Sequence, residues 1–133
     1  MNRVWLLAAA IGGLVAVGAG ATGSHLLAAE NARAALLVGT ASQYGMYHAL
    51  ALLGVAVLAG RHDLVAERLL TAAGALFVAG IVLFSGSLYL LALTGARGFG
   101  YVTPFGGVAF LLGWTALVVG AVTAQRRRRR PDR

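Results

Sequence analysis

Four long apolar runs, separated by short segments that carry most of the charge, dominate the chain. They cover residues 4–21, 41–59, 69–93 and 104–124. A helix needs about 20 residues to cross the ~30 Å hydrocarbon core of a bilayer, and each run approaches or exceeds that length. Because backbone amides in lipid must be hydrogen-bonded within their own segment, runs of this kind are helical. The pattern predicts an all-α, polytopic membrane protein with four transmembrane helices.

The segment between the first two runs carries helix start and stop signals of its own. Thr40, followed three residues later by Gln43, matches a capping box in which Gln43 reaches back to the backbone of Thr40. Gly39 is the residue type that commonly closes a helix. These signals predict a short amphipathic helix over residues 30–38, between the first and second transmembrane helices.

Composition indicates that lipid is the solvent. The 133 residues are 59% hydrophobic and 11% charged, with a mean hydropathy of +0.82. A chain of this size cannot bury so much apolar surface within a water-soluble domain. The net charge of +7 is local, since six of the eleven arginines lie in the last eight residues. We therefore divide the chain into a transmembrane domain, residues 1–125, and a basic cytoplasmic tail, residues 126–133.

The arginines also predict an orientation. In a four-span chain nine of them fall on one side, and only Arg33 and Arg97 fall on the other. Positive residues in short loops are retained on the cytoplasmic side, so we expect a multi-pass protein of the bacterial plasma membrane with both termini cytoplasmic. An alternative is a cleaved signal peptide ending at residues 19–21, which would leave three helices. The first apolar run of 18 residues exceeds the ~7 to 15 of a signal core, which favours four helices.

Small residues recur along three of the runs at the spacing of one helix face. Close approach through such residues supplies much of the association between helices in lipid. The predicted helix-packing residues are Gly12, Ala16, Gly20, Gly45, Ala49, Ala109, Gly113, Ala116 and Gly120. These small-residue faces are numerous for four helices, so some of them could pack against a second copy of the chain or against another protein of a larger membrane complex.

Polar side chains gather at one end of the second run and in the matching half of the third. They are Gln43, Tyr44, Tyr47, His48, Ser85, Ser87 and Tyr89. Antiparallel neighbours would place these groups at similar depth, so we predict an interhelical hydrogen-bond cluster worth ~0.6 kcal/mol per contact. We expect His48 to bond to a hydroxyl group of the third helix.

Two histidines, His25 and His48, are the candidate titratable groups, because imidazole changes charge near physiological pH. They keep two alternatives open: a path for a small solute or a proton, and a membrane enzyme or metal protein. Neither histidine shares a span with an acidic residue, and two histidines fall short of the four ligands of a closed zinc site. We therefore predict no metal, no cofactor and no catalytic residue.

A basic run follows the last apolar segment directly. It consists of Arg126, Arg127, Arg128, Arg129 and Arg130. A basic cluster next to a membrane span attracts anionic lipid headgroups, by ~1 kcal/mol per residue near the surface. We expect the lipid bilayer and its anionic headgroups, rather than nucleic acid, to be the partner of this run.

A set of short motifs occurs in order along nearly the whole chain. They are GAGATGSH at 18–25, YGMYHALAL at 44–52, FSGSLY at 84–89 with LTG at 93–95, and TPFGG at 103–107 with GW at 113–114. Together they resemble the small bacterial inner-membrane proteins of domain-of-unknown-function family 423, the YgdD-like group. The resemblance implies four transmembrane helices without an established activity. It also argues against signal cleavage, because the first motif spans the candidate cut site. Gly45 departs from the pattern, where we expect glutamine.

The residues and the resemblance lead to one functional prediction. We expect a small integral plasma-membrane protein whose polar and glycine-rich motifs build a structural or accessory helical bundle, and we do not expect an enzyme.

Overall fold

The fold is described by a computed structural model that covers residues 1–27 and 31–128, excluding the side chains of Ser24 and Arg128. Within these residues the chain forms helices and turns only. The prediction of an all-α chain with four helices long and apolar enough to cross a membrane is confirmed. These spans are Arg3–Leu27, Ala32–Leu58, Glu67–Thr94 and Arg97–Arg127.

Two of the spans contain π turns, which are wider than the α-helix. Helix α1 (Arg3–Thr22) runs into a first π turn, Gly23–Leu27, and α2 is continuous over Ala32–Leu58. The third span consists of α3 (Glu67–Gly80), a second π turn (Ile81–Gly86) and α4 (Ser87–Thr94). A 3-10 turn, Arg97–Tyr101, leads into α5, Thr103–Arg128.

The predicted short helix between the first two spans is not a separate element, and this part of the prediction is wrong. Residues 32–38 are the first turns of α2, whereas residue 30 lies outside the described residues. Asn31 caps α2, because its side-chain oxygen accepts a hydrogen bond from the amide of Ala34 at 2.9 Å. The hydroxyl of Thr40 donates instead to the carbonyl of Leu36, 3.0 Å away and one turn earlier. This local bond places threonine inside a continuous helix in spite of its capping-box signature.

Helix α2 lies at the centre of the bundle. It packs against α1 on one side and against the third span on another, while α5 packs along α3 and the second π turn. At one end, the amide of Asn2 donates to the carbonyl of Ala56 at 3.0 Å, and the amide of Ala66 donates to the carbonyl of Gly120 at 3.1 Å. We call this the terminal end, because it holds the start of α1 and the end of α5. The opposite end, near residues 23–27 and 95–103, is the far end.

Small residues set the register between α1 and α2. A Cβ atom added to Gly12 would lie 3.3 Å from the Cβ of Ala49, and one added to Gly45 would lie 3.7 Å from the Cβ of Ala16. Four residues along α1 therefore correspond to four residues back along α2. This register is expected for two antiparallel helices whose backbones approach each other through small side chains.

The predicted packing face of α5 is turned inward. It comprises Ala109, Gly113, Ala116 and Gly120, all of them buried or half-buried. A Cβ atom on Gly113 would meet the ring of Phe77 at 2.6 Å, and one on Gly120 would meet Val65 at 2.8 Å. Neither site has room for a side chain unless its neighbour moves. The backbone of α5 therefore lies directly against the third span and the segment before it.

At Gly106 the backbone of α5 lies directly against the backbone of the third span. A Cβ atom there would lie 2.3 Å from the backbone nitrogen of Phe84, inside the second π turn. Backbone thus packs on backbone, which only glycine permits. The second π turn and Gly106 form one contact. This contact keeps the polar residues of the third span, Ser85 and Ser87, between α2 and α5.

The largest fully buried apolar side chains belong to α2 and α3. They are Phe77, Leu52, Leu70 and Val55. Many large apolar side chains elsewhere are exposed, as the faces of a bundle in lipid require.

Candidate functional site

A first polar contact joins three helices. The hydroxyl groups of Ser42 in α2 and Tyr89 in α4 are 3.2 Å apart, within hydrogen-bonding distance. Gly20 of α1 lies against the same serine, since a Cβ atom added there would be 3.5 Å from the Cβ of Ser42. Ser42 is buried. The hydrogen bond therefore lies under α1, away from lipid.

A second contact links the second π turn to α2. The hydroxyl of Ser85 donates to the carbonyl of Ala41 at 2.8 Å, and only 1% of Ser85 is exposed. Gly45 leaves the space that the serine fills, because a Cβ atom added there would be 3.3 Å from the Ser85 hydroxyl oxygen. The glycine that stands where the family resemblance predicts glutamine is thus the position that admits this serine.

A third contact links the third span to α5. Ser87 donates to the carbonyl of Phe84 at 3.0 Å, so its oxygen can accept from the hydroxyl of Thr103, which is 2.8 Å away. Ser85 and Ser87 are two residues apart and point in roughly opposite directions on a helix. Because the third span lies between α2 and α5, one serine bonds to each neighbour.

Three other polar residues of α2, Gln43, Tyr44 and Tyr47, lie at the lipid-facing surface. Gln43 donates to the hydroxyl of Tyr47 at 2.7 Å, one turn along the same helix. Tyr44 and Tyr47 are 41% and 52% exposed. Gln43 therefore does not reach the backbone of Thr40. The structure divides the predicted polar residues into an inner set, which joins helices, and these three, which form the outer set.

His48 is the one histidine among the described residues that is buried in the bundle, and both of its ring nitrogens have partners. Its Nε2 atom accepts a hydrogen bond from the indole Nε1 of Trp114 at 3.2 Å, and its Nδ1 atom is 2.7 Å from the carbonyl oxygen of Tyr44. Indole nitrogen can only donate and a carbonyl can only accept. The contacts therefore define a neutral ring with its proton on Nδ1. The prediction that His48 bonds to a hydroxyl of the third helix is wrong.

Aromatic rings surround His48 and fill the space between α2 and α5. Its ring stacks on Phe110, with centroids 3.4 Å apart and planes 7° apart. Phe77 lies at 5.6 Å and itself meets Trp114 edge to face at 5.2 Å. His48 and Trp114 both lie in the middle third of their helices. We call His48, Trp114, Phe110 and Phe77 the aromatic layer.

His25 takes no part in this cluster. It lies exposed in the first π turn, at the far end of the bundle, whereas His48 is at its middle. Among the residues that the structure describes, histidine and acidic side chains form no group of three or more that would suit a metal ion. The two candidate titratable residues therefore do not combine into one site.

Several residues of the site have contacts that the sequence does not predict, although Trp114, Gly23 and Gly106 fall within the family motifs. Trp114 and Phe110 are spaced by four residues on α5, a spacing that places two aromatic rings on one helix face. Glycines opposite large groups were also missed, namely Gly23 facing Val38, Gly74 facing Trp5, Gly80 facing Phe110 and Gly106 facing Phe84. The partner of each comes from another part of the chain, so spacing alone does not reveal it.

The basic run is only partly described. Arg126 and Arg127 are exposed in the last turn of α5, and Arg128 is the last helical residue. The predicted tail therefore begins inside the helix. Arg129 and Arg130, which belong to the predicted headgroup contact, lie outside the described residues.

Four apolar helices with hydrogen-bonded polar contacts between them define a multi-pass, all-helical membrane protein. Within this class the chain belongs to the family described as Protein of unknown function (DUF423), whose family model matches residues 19–107. The matched region holds the serine and tyrosine contacts and ends before Trp114. The family resemblance predicted from the motifs is confirmed.

Curated relatives are similar over almost their whole length. The chain is 47% identical to "UPF0382 membrane protein YwdK" of Bacillus subtilis (strain 168) over 121 residues, which is 90% of this chain and 97% of the relative. It is 40% identical to "UPF0382 inner membrane protein YgdD" of Escherichia coli (strain K12) over 128 residues, 95% of each chain. No solved structure matches the chain significantly.

Proposed function

We propose that this protein is a structural or accessory helical bundle of the bacterial plasma membrane, with both termini cytoplasmic. One observation carries the proposal. Among the residues that the structure describes, every fully buried side-chain nitrogen or oxygen atom has a hydrogen-bond partner. Polar groups that join helices satisfy one another in this way, because an unpaired polar atom between helices would be costly.

His48 supplies the sharpest comparison between this proposal and a solute or proton path. The path would use His48 together with Tyr47, Ser85 and Ser87. In the structure both nitrogens of the His48 ring are engaged, and Ser85 and Ser87 bond to other helices. Using these groups for conduction would require breaking the contacts that hold the bundle. This supports the structural role.

A flux measurement in liposomes tests the proposal against the path. The full-length chain is reconstituted beside a protein-free control, and proton entry is followed with an enclosed pH-sensitive dye. We expect the same rate with wild type, His48→Ala and no protein. Entry that depends on the protein and is lost in His48→Ala would establish the path and reject the structural role.

An assembly measurement tests the structural role directly. Gly113→Leu would drive a side chain into the ring of Phe77, whereas His48→Ala removes two hydrogen bonds and several ring contacts but introduces no clash. We therefore expect Gly113→Leu to lower the monodisperse fraction in detergent far more than His48→Ala does. If Gly113→Leu assembles like wild type, helix packing is not what these small residues serve.

The proposal extends to orientation and partners. The distribution of arginines supports cytoplasmic termini, and the exposed Arg126 and Arg127 at the end of α5 suit anionic headgroups. Reporter domains fused to the two ends should both be active in the cytoplasm. Co-purification from native membranes, with the mass measured in detergent, distinguishes a monomer, a homo-oligomer and a subunit of a larger complex. A metal retained in stoichiometric amount through that purification would instead favour the metal-protein alternative.

A further inference from the structure

A cleft of about 210 Å³ opens at the far end of the bundle. Its walls are the start of α2 and the end of α4. Arg33 of α2 and Arg97 of the 3-10 turn line it together. Gly95 produces this juxtaposition: it ends α4 with φ 69°, and its amide donates to the carbonyl of Leu91 at 2.9 Å. The chain reverses there, as at a glycine that closes a helix, and brings Arg97 to the cleft.

The cleft is positively charged. Both arginines are exposed, and they come from distant parts of the sequence to the same opening. The ion pairs that the structure shows within the described residues lie at the other end, around the turn between α2 and α3. The described residues that line the cleft include both arginines and no acid. In the sequence, segments 22–41 and 94–104 together carry Arg33, Arg97 and one acid, Glu30, so their formal charges sum to +1; Glu30 lies outside the described residues.

The lining changes from polar to apolar with depth. Arg33, Arg97 and Asn31 are at the rim, and Leu37 and Leu91 line the cleft about one helical turn, ~5 Å, closer to the bundle centre. A soluble anion would use the rim alone. A lipid uses both levels, because its charged phosphate sits above its hydrocarbon chain.

We propose that this cleft binds the phosphate group of an anionic phospholipid, with the guanidinium groups of Arg33 and Arg97 on the phosphate oxygens and an acyl chain along Leu37 and Leu91. The planar guanidinium offers paired N–H donors that match phosphate oxygens. A cleft of this volume is below the ~300 Å³ at which pockets for drug-sized ligands begin, so it suits a headgroup phosphate better than a nucleotide. The site lies at the opposite end from the basic run of α5 and is independent of the proposed structural function.

Native mass spectrometry of the full-length protein tests this site. The probe is phosphatidylglycerol added to protein in a zwitterionic detergent, and the readout is the number of lipids retained and the concentration that half-saturates them. We expect the double variant Arg33→Gln/Arg97→Gln to bind its tightest phosphatidylglycerol about tenfold more weakly than wild type. The matched control Arg61→Gln removes an exposed arginine at the terminal end and should bind like wild type.

A conservative variant keeps the site testable where the glutamine variant does not fold. Arg33→Lys/Arg97→Lys keeps the charge but loses the paired donors, so we expect binding between those of wild type and the glutamine variant. Binding by the glutamine variant at wild-type strength would overturn the proposal. Where that variant does not fold, equal binding by wild type and the lysine variant would overturn it.

Inorganic phosphate distinguishes the two sources of the anion. For a lipid site, a large molar excess of phosphate leaves the bound phosphatidylglycerol in place, because phosphate has no acyl chain to bury. Displacement of the lipid by phosphate would overturn the lipid assignment and make the cleft a site for a free anion.

Discussion

Gly106 offers the most decisive test of how this bundle is held together, and Gly107 beside it supplies a matched control. In Gly106→Ala the new Cβ atom would lie 2.3 Å from the backbone nitrogen of Phe84, more than an ångström short of ordinary contact. In Gly107→Ala the new Cβ atom would lie 3.9 Å and 4.0 Å from two atoms of the Phe84 ring, which is ordinary contact. The same substitution at adjacent positions of α5 therefore meets opposite surroundings.

The cost at Gly106 follows from what cannot move. The obstructing atom belongs to the backbone of the second π turn, so no side-chain rotation relieves the clash, and α5 must shift outward. Overpacking costs ~1 to 3 kcal/mol, and a gap of 0.5–1 Å forfeits roughly a quarter to a half of each dispersion contact along the seam. We expect Gly106→Ala to lose about 3 kcal/mol, a change of roughly a hundredfold in the ratio of folded to unfolded protein. Gly107→Ala should be neutral or gain up to ~1 kcal/mol from helix propensity.

Reversible unfolding in mixed micelles of rising dodecyl sulfate content, followed by tryptophan fluorescence, measures both variants. Replacing Phe84 with leucine should not rescue Gly106→Ala, because the clash is with the backbone of that residue. If Gly106→Ala and Gly107→Ala unfold at the same dodecyl sulfate content, the close contact between α5 and the π turn does not exist and the packing inferred from it is wrong.

Two further substitutions separate hydrogen bonding from packing in the same unfolding assay. Trp114→Phe removes the donor to His48 while keeping an aromatic ring, so we expect the free energy of unfolding to fall by ~0.6 kcal/mol, at most ~1.7. This loss should disappear in a His48→Leu background. An equal loss in both backgrounds would show that the indole N–H does not act through His48. Ser85→Ala removes the hydrogen bond to Ala41 and should cost a similar free energy. Thr115→Val, at an exposed hydroxyl bonded within its own helix, should cost less. The reverse order would contradict the interhelical role of Ser85.

The spans follow from the sequence because lipid imposes them locally. Each helix must be long and apolar enough to cross the hydrocarbon core, and that requirement can be read from one segment at a time. The helix start at Thr40 was misread for a related reason. A capping-box signature is a local preference, and the hydroxyl of Thr40 has an equally local alternative in the carbonyl of Leu36. The continuous α2 therefore begins at Ala32.

Contacts between helices involve distant parts of the chain, so they could not be predicted from one segment at a time. Spacing shows that Gly12 and Ala16 share a face of α1, but not that this face meets α2. The same limit explains the error at His48. Antiparallel order suggests the third span as its neighbour, yet Phe110 and Trp114 reach it from α5. The gap between α2 and α5 is wide enough for aromatic rings, and only the three-dimensional packing reveals it.

The hydrogen bonds between helices have a role that their small energies do not convey. At ~0.6 kcal/mol each, the bonds of Ser85 and Trp114 together are worth less than the ~1 to 3 kcal/mol expected as the cost of a methyl group forced into the contact at Gly106. Apolar helices in lipid, however, lose little when one slides along another, since lipid replaces the contacts that are given up. Each hydrogen bond can form at one register only, and α2 is aligned by Ser85 to the third span and by His48 to α5. Close packing at glycine supplies the strength of the bundle, and the polar contacts select which of several similar packings is formed.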